Sequence, residues 1–490
     1  MLQLLLTQWV DGYELGLILR ILALLYCLTI AASVLMVILD RRNPTKTLLW
    51  VWVLILLPIM GLVFYIFLGQ NLRRRLTARR YPDSRREVED RFGTATIPLS
   101  EIPPQHDVLE THAYIATLLD HQGEAPVLGS NGVELYHEGE VAFASLLEDI
   151  RHAQDFIHME YYTFTDDALG QRIAAELIER AGQGVDVRII YDAVGSWGLS
   201  KSLLARLQEG GVRIYPFERV IFPLLGNRIN NRNHRKIVVI DGTMAYMGGM
   251  NIAQRYITGS SIGQWVDTQL RIKGPAAHAL HRIFLRDWAY VSGEAPSPDY
   301  CPIPVEGGNT PVQIITSAPE DPYSTPLHAF ITAIARAKRY IYICTPYFIP
   351  SDSLLMALRT TALSGVDVRI ILPRRGDAKL VLWAIHSYIE DLLESGIRVY
   401  LYTGGFNHSK TLIVDGELAI VGSANMDIRS FEENYEVLAL LYDRDITRRL
   451  ELEFIGNTRK SHDLDLAEWR QRPLARRGLE AIARLFSPVF

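Results

Sequence analysis

The chain has 490 residues, 49% of them hydrophobic, with 50 Lys and Arg against 55 Asp and Glu and a net charge of −5. That length holds two or three domains, and the acidic balance argues against a nucleic-acid binder, which normally carries a basic domain. Its three cysteines, Cys27, Cys301 and Cys344, have the spacing of neither a zinc site nor a disulfide framework, as expected of a reducing compartment.

The apolar excess lies at one end. Leu15–Leu39, broken only by the charge of Arg20, and Leu48–Leu68 each reach the ~20 residues that a helix needs to cross hydrocarbon. A cleaved signal peptide is one alternative for the first run, but a basic start and a small-residue cleavage site are missing and a second run follows at once. Buried soluble helices are another. Trp50, Trp52 and Tyr65 suit membrane interfaces, and the connecting "DRRNPTKT" makes the two runs a helical hairpin over residues 1–72. The loop carries Arg41, Arg42 and Lys46, whereas the segment after the second run carries Arg73, Arg74, Arg75, Arg79, Arg80, Arg85 and Arg86. The heavier side is expected to be cytoplasmic, and such a cluster suits anionic headgroups.

After a basic, Pro-dotted linker (73–104) the chain repeats itself. "GVDVRII" occurs at Gly184–Ile190 and again at Gly365–Ile371, and "DFIHMEYYTF" from Asp155 corresponds to "RYIYICTPYF" from Arg339. The offset stays near ~180 residues, a domain-sized period rather than a solenoid. In each half, "IHMEYY" or "YIYICTPY" reads as a strand, "LGQRIAAELIERAGQG" or "LLMALRTTALSG" as a helix, and "VDVRIIYD" or "VDVRIILP" as a buried strand. Strands alternating with helices predict α/β domains with parallel pairs, over 105–300 and 301–490, divided near the Pro- and Gly-rich Ser292–Pro311.

Two further stretches repeat: "NHRKIVVIDGTMAYMGGMN" (Asn233–Asn251) and "NHSKTLIVDGELAIVGSAN" (Asn407–Asn425). Both have the form H-x-K-x4-D-x6-G-x2-N. One copy is a weak signal; two, at matching places in a duplicated domain, are strong. In a strand, residues two apart share a face, so His234 projects with Lys236 and His408 with Lys410. Asp241 and Asp415, seven residues past their histidines and each followed by Gly, point to the opposite face and to a tight turn. They read as architectural anchors more than as reacting groups. The returning strands bring Gly248 with Asn251, and Gly422 with Asn425, back to the His–Lys end.

Paired histidines raise the question of a metal, but a charged Lys beside each has no lone pair to offer, so no metal or other cofactor is expected. An anion fits better. Two lysines with Asn251 and Asn425 would clamp phosphate oxygens, one His would attack phosphorus, and the other would give a proton to the leaving oxygen. Glu436 and Asp267 are the candidates for holding the histidine tautomers, with Trp265 packed nearby; a strand-end acid is the alternative for each.

Through the two H-x-K-x4-D…G-x2-N motifs the sequence resembles the phospholipase D superfamily. With the N-terminal hairpin and its basic, Pro-containing loop, it resembles the bacterial cardiolipin synthases over essentially the whole chain. The resemblance implies two phospholipase D-like α/β/α domains about a pseudo-two-fold axis, one His from each forming the active site. It counts Asp241 and Asp415 within the catalytic motifs, with Asn251, Asn425, Gly249, Ser423, Asp267 and Glu436 around the substrate. It also implies transfer of a phosphatidyl group from one phosphatidylglycerol to another, with His234 as nucleophile and His408 as acid–base, although spacing alone does not assign these roles. The implied setting is the bacterial inner membrane, with phosphatidylglycerol and other anionic phospholipids as partners, no nucleic acid, and homo-oligomerisation left open. Gly249 stands in one motif where the other has Ser423; a small residue suits both.

Two rivals stay open: a phosphodiester hydrolase using water, and a catalytically dead lipid-binding scaffold. The tail "PLARRGLEAIARLFSPVF" places Leu479, Ile482, Ala483 and Phe486 on one helical face with Arg476, Arg477 and Arg484 largely elsewhere, which suits either an interfacial helix or packing on the catalytic domain. His158, His278, His281 and His386 lack a partner pattern and read as structural.

Overall fold

The heptapeptide that occurs twice folds twice into the same strand of a computed structural model. The structure describes residues 107–123, 125–218, 231–294 and 307–487, parts of 20–61, and the isolated positions 65 and 88. The first half contributes strands β1 (Val127–Tyr136), β2 (Phe156–Tyr161), β3 (Asp186–Asp192), β4 (Arg213–Phe217), β5 (Arg232–Asn233), β6 (Lys236–Ile240), β7 (Met244–Gly248), β8 (Gln264–Val266) and β9 (Gln269–Lys273). The second contributes β10 (Thr310–Ser317), β11 (Tyr340–Cys344), β12 (Phe348–Ile349), β13 (Asp367–Pro373), β14 (Arg398–Tyr402), β15 (Gly405–Asn407), β16 (Thr411–Val414), β17 (Leu418–Gly422), β18 (Met426–Asp427), β19 (Asn434–Tyr442) and β20 (Ser461–Asp463).

Among the described residues these build one sixteen-stranded mixed sheet in the order β20-β14-β13-β11-β16-β17-β19-β10-β1-β9-β7-β6-β2-β3-β4, with β5 joined to β19. The order reads the same from either edge, half against half, apart from β20. β2–β3–β4 and β11–β13–β14 are parallel, joined through helices such as Ala168–Gly182 and Asp352–Leu363, as the alternating pattern predicts. The hairpins β6–β7 and β16–β17 are antiparallel, and antiparallel pairing of β1 with β10 closes the seam. Asp167 and Ser351 start the two helices by accepting from the backbone N–H of Gly170 and Leu354.

The core follows the duplication with one exchange. Residues such as Val108, Ile115, Leu119 and Val127, which the sequence divides into the first half, pack in the core of the second with Ile334, Phe330 and Leu440. Gln313 on β10 secures this by donating to the carbonyls of Ala116 (2.9 Å) and Ala125 (2.6 Å).

The described residues between 20 and 65 belong to a compact unit of their own. The expected spans 15–39 and 48–68 fall only partly on described residues; Arg41 and Arg42 of the loop, the arginine cluster and Cys301 lie outside them, while residues 44–47 of that loop open a helix. The second run forms a helix over Pro44–Leu56, and Val37 of the first run is buried with Leu54 and Tyr65 in one small cluster. Among the described residues no helix is long and apolar enough to cross a membrane. Leu24, Leu39, Leu48, Trp52 and Leu56 are exposed. Cys27 and Cys344 are free thiols.

Candidate active site

Each His-bearing segment crosses to the other half. β5, running into His234, pairs in parallel with β19 of the second half, and His234 N–H donates to Tyr435 O at 3.0 Å. β15, running into His408, pairs in parallel with β8 of the first half, and His408 N–H donates to Val266 O at 2.7 Å. The consequence is a reciprocal exchange of carboxylates. Nδ1 of His234 lies 3.0 Å from both oxygens of Glu436, and Nδ1 of His408 lies 2.7 Å from Oδ2 of Asp267. Both acids therefore touch histidine, from the opposite half.

Lys236 and Lys410 sit two residues on, on the same face as their histidines, and each ammonium donates to the carbonyl of its own His. All four side chains are buried. Burial pushes Lys236 down to about 7 and Lys410 to about 8, opposed by Glu436 and Asp267. Burial also lowers His234 to about 4, with Glu436 opposing, and it holds His408 well below its ordinary value with help from Lys410, Lys236 and His234. Both rings are neutral near pH 7.

The two carboxyls differ. Glu436 sits low, at about 2: burial alone would raise it, but the His234 ring, Lys236 and the Ser423 hydroxyl outweigh burial. Ser423 Oγ donates to Glu436 at 2.5 Å and Asn434 Nδ2 at 3.2 Å. Asp267 has no such hydroxyl, and burial pushes it up to about 7, opposed by Lys410 and the Thr268 N–H. Part of the difference lies at one motif position. Where the second has Ser423, the first has Gly249, and a Cβ on Gly249 would run into the Asp267 carboxylate. Gly249 and Ser423 thus lie against the carboxylates.

Asp241 and Asp415 take no part in this cluster. Both have left-handed φ (49° and 55°), as do Gly242 and Gly416 after them, which forms the tight turn of each hairpin. Each sits beyond the far end of its strand from the lysine. Asp241 accepts from the backbone N–H groups of Gln154, Asp155 and Phe156 at 2.8–3.0 Å. Asp415 does the same for Lys338, Arg339 and Tyr340 at 2.7–2.9 Å. Their inclusion in the catalytic motif is therefore positional: they hold the start of β2 and β11 against the hairpin.

Asn251 is largely committed already. Its Oδ1 accepts from Thr163 N–H (3.1 Å) and its Nδ2 donates to the Tyr256 hydroxyl (3.0 Å), leaving one N–H for a ligand. Asn425 is buried, and its Oδ1 has no hydrogen-bond partner among the described residues.

Several participants had no motif to announce them. The Tyr256 hydroxyl lies 3.2 Å from His408 Nδ1, and the Tyr162 ring stands edge-on to His234 and 5.2 Å from the Lys236 ammonium; Trp265, expected nearby, packs 5.4 Å from His408. Of the lone histidines, His158 and His281 bond each other at 2.9 Å in the core. Among the described residues no group of acids, histidines and cysteines could hold a metal.

Comparison with known proteins gives the family. The model for the cardiolipin synthase, phospholipase D-like domain matches residues 146–288 and 330–457, one segment per half, and the model for the phospholipase D-nuclease N-terminal segment matches 18–70. A cardiolipin synthase of Geobacillus sp. (strain WCH70) is 38% identical over 98% of this chain and 96% of its own. One of Geobacillus thermodenitrificans is 39% identical over 97% and 95%. The solved structure of phosphatidylserine synthase from Haemophilus influenzae Rd KW20 shares the fold at 15% identity, with a TM-score of 0.58 over 78% of this chain and 100% of that one. With both halves matched and relatives alike along almost the whole length, the chain belongs to the cardiolipin synthases of the phospholipase D superfamily.

Proposed function

We propose that the chain, a phosphatidyltransferase, moves a phosphatidyl group from one phosphatidylglycerol to the glycerol headgroup of another, giving cardiolipin and glycerol through a phosphohistidine on His234. The observation that carries this is the reciprocal exchange: two neutral imidazoles, each oriented at Nδ1 by the other half's carboxyl, with two ammonium groups beside them. An ionised Glu436 on Nδ1 makes the opposite nitrogen of His234 the better nucleophile, and among the described residues nothing hydrogen-bonds His234 Nε2. The Lys410 ammonium lies 2.8 Å from Nδ1 and 3.2 Å from Nε2 of His408.

His234 Nε2 forms a bond to phosphorus as the bond to the departing glycerol oxygen breaks. That oxygen takes a proton from the His408–Asp267 pair, in which the raised Asp267 carboxyl retains the proton that the depressed imidazole lacks. In the second half-reaction the acceptor hydroxyl attacks phosphorus, the N–P bond breaks, and the acceptor's proton returns to the pair. Lys236, Lys410 and the remaining N–H of Asn251 meet the charge that builds on the equatorial oxygens.

The substrate class implies a membrane. The match over 18–70 and the exposed leucines of the two N-terminal runs support a two-span hairpin in the bacterial inner membrane, and the arginine distribution supports a cytoplasmic catalytic unit. Purified full-length protein with phosphatidylglycerol alone tests the reading. Cardiolipin and glycerol in equal amounts are expected by mass spectrometry; phosphatidic acid as main product would make water the acceptor, and no product would leave a scaffold.

A further inference from the structure

The helix Leu474–Leu485 is mounted inside out. At 100° per residue, Leu474, Leu479, Ile482, Leu485 and the following Phe486 fall within one arc of about 140°. A helix of a globular protein turns such an arc inward, yet here all five side chains are exposed, Leu474 at 81% and Leu485 at 77%. The polar side faces the body: Glu480 is 2% exposed and Ala483 is fully buried. Glu480 takes Arg472 (2.5 Å) and Arg476 (3.3 Å), Arg484 reaches Asp391 (2.9 Å) and the Ser387 carbonyl (3.2 Å), and Arg477 lies 3.8 Å from Glu390. Arg484 with Asp391 and Arg477 with Glu390 tie the charged side to the helix Ile389–Glu394, so rolling the apolar side inward would break them, while the Glu480 pairs lie within the tail itself.

Two observations select the occupant of that face. Covering all five side chains would bury roughly 500 Å² on this chain, below the ~800 Å² per partner of a standard stable interface, so a second copy is a poor fit. And Arg476 on one edge of the arc, with Arg477 and Arg484 on the other, keep partly exposed side chains beside the apolar strip. Basic edges around an apolar strip complement the phosphates and upper acyl chains of an anionic bilayer.

We propose that this helix is a membrane-surface contact: its charged side fixed to the catalytic unit, its apolar side sunk at the headgroup level of an anionic phospholipid bilayer, setting the orientation in which the unit meets its lipids. The bilayer as occupant rests on the lipid-substrate reading, but its test does not depend on turnover. In the full chain, with Cys27 and Cys301 replaced by Ser, Ile482→Cys and Leu485→Cys each carry a fluorophore, and the protein is reconstituted in phosphatidylglycerol-containing vesicles with bromine-labelled acyl chains. Emission from both positions is expected to be quenched several-fold more than from the same label at the exposed Arg448→Cys on the same unit. Quenching no greater than at position 448 would overturn the proposal, as would a label shielded from water yet untouched by bromine, which would put protein on that face. As a second arm, Ile482→Ser with Leu485→Ser should raise the apparent KM for lipid at least threefold in mixed micelles at unchanged kcat and melting temperature. An unchanged KM, or a loss confined to kcat, would count against it.

Discussion

Replacing Asp415 by Asn separates an anchor from a catalyst. The Asp415 carboxylate is buried and accepts three backbone N–H groups, from Lys338 at 2.7 Å, Arg339 at 2.7 Å and Tyr340 at 2.9 Å. An Asn keeps one oxygen for the two that share Oδ1, but it turns an NH₂ toward the Lys338 N–H, donor against donor. One charge-assisted bond is lost, about 1.5–3 kcal/mol, and two more become neutral bonds, so the change should cost about 3–5 kcal/mol. The backbone adds nothing, because Asn accepts the left-handed φ of 55° that Asp415 adopts. Asp241→Asn, at a half-buried site where water can reach the Gln154 N–H, should cost about 2–3 kcal/mol. In detergent-solubilised full-length protein Asp415→Asn should lower the melting temperature by about 5–15 °C, and by more than Asp241→Asn does. Activity per folded molecule at 20 °C should stay within about tenfold of wild type. A variant that melts as wild type and yet loses a hundredfold or more in kcat would refute the anchor and return Asp415 to the chemistry.

Lys236→Ala and Lys410→Ala should each cost about 10²–10³ in kcat, because each removes a buried donor from the phosphoryl oxygens; lipid product assays on protein shown folded by circular dichroism check this. The pH profile of kcat/KM should fall on the acid side near 4, where His234 takes up a proton, and on the alkaline side near 7 to 8, where the Asp267 proton and the ammonium groups that act as donors are lost. The alkaline limb of kcat should lie higher, since a bound phosphodiester anion favours the charged lysines; coincident limbs would contradict it. Ser423→Gly should be mild, about tenfold in kcat/KM with the acid limb moved upward, because Glu436 loses the hydroxyl that donates to it at 2.5 Å. Gly249→Ser should be severe, since its Cβ meets the Asp267 carboxylate; equal effects of the two substitutions would undo the asymmetry argued for the two carboxyls.

Much of this was legible because a strand has period two: His and Lys two apart must share a face, and an Asp followed by Gly after an apolar run must turn. Duplication supplied the rest of the fold, since two matching strand–helix–strand series can form matching sheets. What spacing could not encode was the exchange. In a near-symmetric pair, Glu436 and Asp267 are equally placed on paper to serve either His, and only the parallel pairing of β5 with β19 and β15 with β8 crosses them. One signal for the inequality of the two sites was the motif position held by Gly249 in one half and Ser423 in the other, whose meaning depends on what lies behind it. Similarly, the helical wheel of the C-terminal segment shows an apolar arc but not its outward aim. Glu480, spaced eight residues after Arg472 and four after Arg476, was the mark of a charged side with its own partners. The transfer of residues 107–127 to the second core follows from one long-range strand pairing, β1 with β10, that no local pattern announces.

The measurement that bears most directly on the chemistry is the site of the covalent intermediate. A phosphodiester with a nitrophenyl leaving group needs little protonation, so His408→Ala should still load while His234→Ala should not. The variants are denatured in alkali, where an N–P bond survives, and digested for mass spectrometry. The account predicts a phosphatidyl-type adduct on His234 in the His408→Ala protein and none in the His234→Ala protein. An adduct on His408 in the His234→Ala protein, with none on His234 in the other, would contradict it and reverse the roles of the two halves.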